Sequence, residues 1–292
     1  MSKNLSNKEY FYGHKACPGC GGSLAVRLAL KALGDNTLTV LPANCMSAVS
    51  FIYPQMAFTG NAMISPFAST ASMLSGVAAG AKARGMEDYH VIGFAGDGGT
   101  ADIGLQALSG AIDRNDPVIY VCYDNEAYMN TGIQKSGLTP VGATATTSPA
   151  GKNESGEIRP KKSMFEIVAA HNIEYAATCS VGYPRDYIKK IEKASRVKGA
   201  AYIHVYAPCP TGWGHPTDQT IALAKEAVDC GLWYLAECEK GDFKLNKRPK
   251  KFADVGGHLK KQARFRHLSD REIQDIEQHR DARWETMTSK WN

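Results

Sequence analysis

The chain contains no run of 18 apolar residues, so a membrane-spanning helix is not expected. Its first residues, MSKNLSNKEYFYGHK, are polar and lack an apolar h-region. No secretory leader is therefore expected, and the cytoplasm is the expected compartment. A zinc-finger, RNP or helix-turn-helix pattern is missing, so the net charge of +5 is not read as a nucleic-acid surface. The strand–GxGxxG–helix unit of dinucleotide binders is missing as well. So is the tandem C-x₂-C-x₂-C-x₃-C run of ferredoxin-like modules. A second CxxC, which would suggest a zinc ribbon, does not occur. Internal repeats and low-complexity segments are absent too.

What is present suits one large globular domain, or a domain with an appendage: 292 residues, 43% of them hydrophobic. The charge is uneven, with an excess of about +5 between Glu239 and Asn292. Strand-like apolar runs at Leu38–Leu41, His90–Ala95, Val118–Tyr123, Ile173–Thr178 and Ala201–Tyr206 alternate with helix-like stretches. The helix-like stretches include Gly22–Leu33, Thr70–Arg84, Asp102–Arg114, Met164–His171, Arg185–Val197 and Asp218–Leu235. Continuous apolar strands between amphipathic helices predict an α/β fold, a mostly parallel sheet covered by helices on both faces. Two domains follow: a cofactor-binding domain over 1–238 and a basic C-terminal extension over 239–292 that packs on a partner chain. The polar segment Thr139–Ser163 is long enough to be functional or mobile, but nothing in it suggests a role.

Ligands of open α/β sheets bind beyond the carboxyl ends of the strands, and four motifs fall there. Gly96–Asp97–Gly98 follows VIGFA and precedes a helix expected from about Asp102. Its glycines would let the backbone approach a diphosphate, and a new helix offers free N–H groups. Asp97 is a hard oxygen ligand suited to Mg²⁺. The second motif, DNEAYMNTG, follows VIYVCY; Asn125 lies 28 residues after Asp97, one helix plus one strand. Asp97, Asn125 and the Ala127 carbonyl would form half an octahedron. GDG with an asparagine at this distance is the thiamine-diphosphate signature of transketolases, decarboxylases and 2-oxoacid oxidoreductases. A chance glycine turn and a chance loop asparagine are the bland alternative.

The other two motifs concern the eight cysteines. In a chain without a leader, clustered cysteines suggest metal or redox chemistry rather than disulfides. Cys17 and Cys20 form CPGC, Cys45 follows LTVLPAN, and Cys209 follows AYIHVYAP. Four thiolates from three loops would suit a [4Fe–4S] cluster, with zinc the alternative. Cys122, Cys179, Cys230 and Cys238 are expected to be small buried hydrophobes. His14 and His215 are expected to be structural, with substitute metal ligation the alternative.

Taken together, GHKACPGCGG, NCMSAV, GFAGDGGTADIG, YDNEAYMNTG, TPVGATATTSPAGK and APCPTGW resemble the beta subunits of pyruvate:ferredoxin oxidoreductases, within the 2-oxoacid:ferredoxin oxidoreductase family. VGGHLKKQARFRHL resembles that family's tail. The resemblance implies a thiamine-diphosphate-binding fold. It implies that Cys17, Cys20, Cys45 and Cys209 hold a [4Fe–4S] cluster, and that Asp97, Asn125 and Ala127 hold Mg²⁺. Asn130 would face the reacting centre as the catalytic residue, Gly96, Gly98 and Tyr128 would line the diphosphate, and Cys45 would lie beside the cofactor.

The implied reaction is oxidative decarboxylation of pyruvate with coenzyme A, or its reversal, with electrons passing to soluble ferredoxin. Another 2-oxoacid (2-oxoisovalerate, 2-oxoglutarate or oxalate) is the alternative substrate. No glutamate sits in a motif suited to activating the aminopyrimidine, so an alpha-type subunit is expected to supply it. A cluster-bearing delta subunit and a gamma subunit are the other implied partners; membrane and nucleic acid are not. A non-redox thiamine enzyme with structural zinc, and a catalytically silent scaffold, are the competing readings.

Overall fold

The computed structural model describes residues 5–152 and 154–291. Its centre is an eight-stranded sheet. Read across, the order is Asp242–Leu245, Ala236–Glu239, Tyr175–Ser180, Ala201–Tyr206, Ile119–Asp124, His90–Gly96, Thr37–Pro42 and Asn61–Ser65. The last six are mutually parallel, and the first two form an antiparallel hairpin on the edge of Tyr175–Ser180. Every residue of Ile119–Asp124, Tyr175–Ser180 and Ala201–Tyr206 is buried. Strands covered on both faces need side chains that tolerate burial on both, which is why these runs do not alternate in polarity.

Each face has its own core. Gly21–Leu33, Pro184–Ala194 and Thr220–Asp229 pack on one, through Val26, Ile191 and Val228 among others. Thr70–Ala83, Leu105–Asp113, Met164–Ala169 and the C-terminal helix Asp270–Lys290 pack on the other, through Leu74, Leu108, Phe165 and Trp284. Successive strand residues alternate between them: Val121 and Tyr123 join the first core, Tyr120 and Cys122 the second.

After the edge strand Asn61–Ser65 the chain crosses back past Thr37–Pro42 to build His90–Gly96. That reversal opens a crevice at the carboxyl ends of these strands.

Several expectations need correction. Asn61–Ser65 was not foreseen, because a half-exposed five-residue edge lacks the apolar run of a central strand. The helix expected from Asp102 is two helices, Asp97–Ala101 and Leu105–Asp113. The first begins at the GDG aspartate; the chain then breaks where Gly104 lies against the Gly99 carbonyl, so closely that a Cβ there would stand 2.0 Å from the oxygen. The helix expected over Asp218–Leu235 is confined to Thr220–Asp229, since Gly231 adopts φ 79° and turns the chain towards the hairpin.

The boundary expected between 238 and 239 falls inside the Ala236–Leu245 hairpin. Beyond the hairpin, the segment expected to cover a partner packs part of its surface on its own chain. Val255, Leu259, Phe265 and Ile273 form a third small core with Ala143 and Cys230. The Trp284 indole N–H donates to the Gly231 carbonyl at 2.8 Å. The last helix starts in a reciprocal cap between Ser269 and Glu272.

Candidate functional site

Asp97 opens the short helix after His90–Gly96, and Asn125–Ala127 follow the neighbouring strand, so one crossover brings both motifs to the same sheet edge. The Asn125 side-chain oxygen faces the Asp97 Oδ1 and the Ala127 carbonyl oxygen, each at 2.9 Å. Three acceptors facing one another repel, unless the amide turns over to donate to both or a cation sits between them. Ligand oxygens on an octahedral Mg²⁺, at about 2.1 Å from the ion, stand roughly 3 Å apart. The donor set and its spacing therefore fit that ion. Asp97 is 1% exposed. Burial, reinforced by the nearby Asp124 carboxylate, pushes its carboxyl well above the usual range, against a hydrogen bond from the Ser136 hydroxyl. A divalent cation would supply the countercharge this carboxylate lacks.

Beside this trio lies an open cleft, about 390 Å³ including its mouth, that touches Gly96, Gly98, Tyr128, Asn130 and Cys45. Only Gly98 is required there by the protein's own packing; a side chain at Gly96 would meet ordinary contacts. A Cβ on Gly98 would come within 2.3 Å of the Tyr128 ring, and one on Gly96 within 3.6 Å of the Tyr123 hydroxyl. Tyr128 is held over Gly98 by donating its hydroxyl to Asp102 Oδ2 at 2.9 Å. Asn44, Phe67, Tyr123 and Met129 also line the cavity and were not foreseen. Asn44 had a local signal: it caps the helix Cys45–Ser50 reciprocally with Ser47. Phe67 had none, since it follows the edge strand that sequence reasoning overlooked.

Cys17, Cys20, Cys45 and Cys209 border a second cavity, about 770 Å³ including its open mouth. Close docking of two loops brings them together. Gly21 N–H donates to the Pro208 carbonyl at 3.1 Å, and a Cβ on Gly21 would stand 2.7 Å from the Ala207 backbone. Gly19, at φ 74°, lies against the Thr217 carbonyl with no space for a side chain. Three of the thiols sit at helix starts. Cys20 accepts from Ser23 N–H at 3.4 Å, Cys209 accepts from Gly212 N–H at 3.3 Å, and Cys45 begins its helix.

Burial, with mutual repulsion among the thiols as a further cause, pushes Cys45 up to about 12 and Cys209 up to about 11. Left alone, these two groups stay protonated, so a bound cation is needed to make them thiolates. Among the described residues, no three His, Cys, Asp or Glu side chains converge as a single ion would require. The four thiols thus surround a space rather than a point. Cys122, Cys179, Cys230 and Cys238 are fully buried, in keeping with a packing role.

His14 stacks on Phe11, with ring centres 4.8 Å apart. His215 is buried, and its Nδ1 lies 2.8 Å from the Pro216 carbonyl. His215 borders no cysteine cavity, whereas His14 lines a neighbouring cleft together with Cys17 and Cys20. The two cavities share Cys45, Asn125, Met129 and Asn130 as a common wall.

Residues 44–205 match the family model described as the C-terminal TPP-binding domain of thiamine pyrophosphate enzymes. Pyruvate synthase subunit PorB of Methanothermobacter thermautotrophicus is 49% identical over 92% of this chain and 94% of its own. Ketoisovalerate oxidoreductase subunit VorB of Pyrococcus horikoshii is 44% identical over 96% of this chain and 92% of its own. Among solved structures, a 2-oxoglutarate:ferredoxin oxidoreductase chain from Magnetococcus marinus superposes with a TM-score of 0.58. At 21% identity, covering 76% of this chain and 82% of that one, it supports the fold alone.

Proposed function

The chain belongs to the 2-oxoacid:ferredoxin oxidoreductase family, as a beta-type subunit with a thiamine-diphosphate-binding domain, and from that premise we propose that it houses the reacting centre of a pyruvate oxidoreductase. The observation that carries this reading is the common wall: the oxygen trio suited to Mg²⁺ and the four thiols open on either side of Cys45 and Asn130. Thiamine diphosphate bound in the smaller cavity would supply the nucleophilic carbon and the electron sink that decarboxylation of a 2-oxoacid needs.

This chain's residues do the rest. Asp97, Asn125 and the Ala127 carbonyl would anchor the diphosphate through Mg²⁺, with Gly96, Gly98 and Tyr128 lining it. Asn130, on the shared wall, would orient the substrate. Cys17, Cys20, Cys45 and Cys209 would hold a [4Fe–4S] cluster, which would supply one-electron transfer; ferredoxin, reached through a delta-type subunit, is the proposed electron acceptor and coenzyme A the proposed acyl acceptor. Four thiols bordering one cavity, with no histidine among its lining, support a cluster, and zinc is the alternative that metal analysis tests.

Among the described residues no glutamate lines the cofactor cavity. Glu126, the nearest in sequence, pairs instead with Arg264 and Lys161. That supports an alpha-type subunit completing the site. Pyruvate is the proposed substrate. The relatives' names include both pyruvate and ketoisovalerate, so the deciding experiment is a substrate panel. The native complex is purified without oxygen and assayed for ferredoxin reduction with pyruvate, 2-oxoisovalerate, 2-oxoglutarate and oxalate. The reading expects a bound iron–sulfur chromophore and the highest kcat/KM with pyruvate plus coenzyme A. Higher efficiency with 2-oxoisovalerate would overturn the substrate, and stoichiometric zinc without iron would overturn the electron path.

A further inference from the structure

The sequence left the C-terminal segment without a chemical role, yet one of its side chains reaches the back of the oxygen trio. Arg264 is 5% exposed and pairs with Glu126, the residue between Asn125 and Ala127. Glu126 adopts φ 67°, a left-handed conformation uncommon for a side chain of its size. It is held on every side. Lys161 donates to its other carboxylate oxygen at 2.6 Å, the Thr139 hydroxyl donates to its carbonyl at 2.7 Å, and its own N–H donates to Asp124 Oδ1 at 3.0 Å.

The Arg264 guanidinium also stacks on the Trp213 ring, 3.8 Å from its centre. Trp213 follows Cys209 in the CPTGW motif, and its indole N–H donates to the Asn125 carbonyl at 2.7 Å. The backbone turn that aims the Asn125 amide and the Ala127 carbonyl at Asp97 is thus clamped from behind by two residues, neither of which touches the cavity.

We propose that Arg264 and Trp213 are positioning residues for the metal–diphosphate site. They hold the Glu126 turn so that Asn125 and Ala127 present their oxygens together. Groups that orient ligands from behind typically contribute roughly tenfold or more in metal affinity. The inference rests on the Mg²⁺–thiamine diphosphate reading above.

The test uses the anaerobically purified complex and measures the Mg²⁺ and thiamine diphosphate concentrations needed for half-maximal cofactor retention, with iron content beside them. Arg264→Gln is expected to raise both concentrations roughly tenfold with iron content unchanged, and excess cofactor should restore kcat. Arg264→Lys keeps the charge but loses the planar fork and should recover only part of the affinity. Trp213→Phe keeps the ring and removes the N–H, so it decides the matter if Arg264 variants fail to assemble; it should weaken retention severalfold. Retention unchanged in Trp213→Phe and in whichever Arg264 variants assemble would overturn the proposal, as would weakening seen only together with loss of iron. Asp97→Ala is the control. If it does not lower retention, the underlying cofactor reading fails; if it does while the clamp variants do not, only the clamp fails.

Discussion

The two halves of the site are assembled differently. The oxygen trio comes from adjacent strands joined by one crossover, Asp97 after His90–Gly96 and Asn125–Ala127 after Ile119–Asp124. The strand ladder sets its geometry, with the Asn125 side-chain amide already 2.9 Å from both the Asp97 Oδ1 and the Ala127 carbonyl oxygen. The thiols come from three loops that are distant in sequence, two of them held together by backbone docking of Gly19 against Thr217 and of Gly21 against Ala207 and Pro208. They enclose a space and do not converge on a point. A ladder can preorganise ligands for a small ion, whereas docked loops leave a cage whose final dimensions the bound group completes. The difference teaches that losing one half should leave the other standing.

The strongest way to break that comparison is to remove one ligand from each half. Asp97→Ala should abolish cofactor retention at ordinary Mg²⁺ and lower ferredoxin reduction by at least about 100-fold, with iron content preserved. Cys209→Ser should do the reverse: iron falls, thiamine diphosphate stays, and electron transfer to ferredoxin stops. Metal and cofactor analysis of the two purified complexes checks both. If either substitution empties both halves, the site is one cooperative unit and the comparison is wrong.

A chelator sharpens the same point. Dialysis against EDTA should strip Mg²⁺ and thiamine diphosphate reversibly, while the iron–sulfur absorbance persists and activity returns on adding back both. Smaller effects should come from the glycines. Gly21→Ala places a Cβ 2.7 Å from the Ala207 backbone, which cannot yield as a side chain does. It should cost about 1–3 kcal/mol of stability and reduce iron content severalfold. Gly98→Ala meets only the Tyr128 ring, 2.3 Å away. It should weaken thiamine diphosphate retention and leave iron alone. Iron unaffected by Gly21→Ala would mean that loop docking does not shape the cage.

These contrasts also explain what was legible in the sequence. Central strands such as Ala201–Tyr206 announce themselves because burial on both faces demands continuous apolar residues. The motif spacings were legible because a crossover has a characteristic length, so Asp97 and Asn125 had to meet once the strands were placed. Long-range side-chain geometry was not legible. Nothing near Arg264 points to Glu126, 138 positions away, and nothing near Phe67 marks it as a cavity wall. The Asn61–Ser65 edge strand and the Ala236–Leu245 hairpin are short and partly exposed, so tertiary pairing rather than local pattern defines them. Nor was the neighbour of Gly98 legible: the group that leaves no space for a Cβ there is the Tyr128 ring.

The smallest expected effect concerns the core behind the oxygen trio. His204 is buried against Asp124, its Nε2 2.9 Å from Oδ2, with Lys161 on the same carboxylate at 2.8 Å. Burial, helped by the positive Lys161 and Arg283, lowers the histidine's pKa despite the Asp124 carboxylate. His258, buried beside Glu226 and near Arg264, is lowered chiefly by burial too. A histidine whose folded value is depressed binds its proton first in the unfolded chain. Its stabilising contribution is therefore complete above the ordinary histidine value of about 6.5 and is lost as pH falls from there towards the folded value. Each group can tilt stability by at most about 1.4 kcal/mol per pH unit within that window. The intact complex should therefore melt at lower temperature at pH 5.5 than at pH 7.5. His204→Gln, which cannot take up a proton, should lower the melting temperature at both pH values while narrowing the gap between them. An unchanged gap would show that His204 does not carry the acid sensitivity.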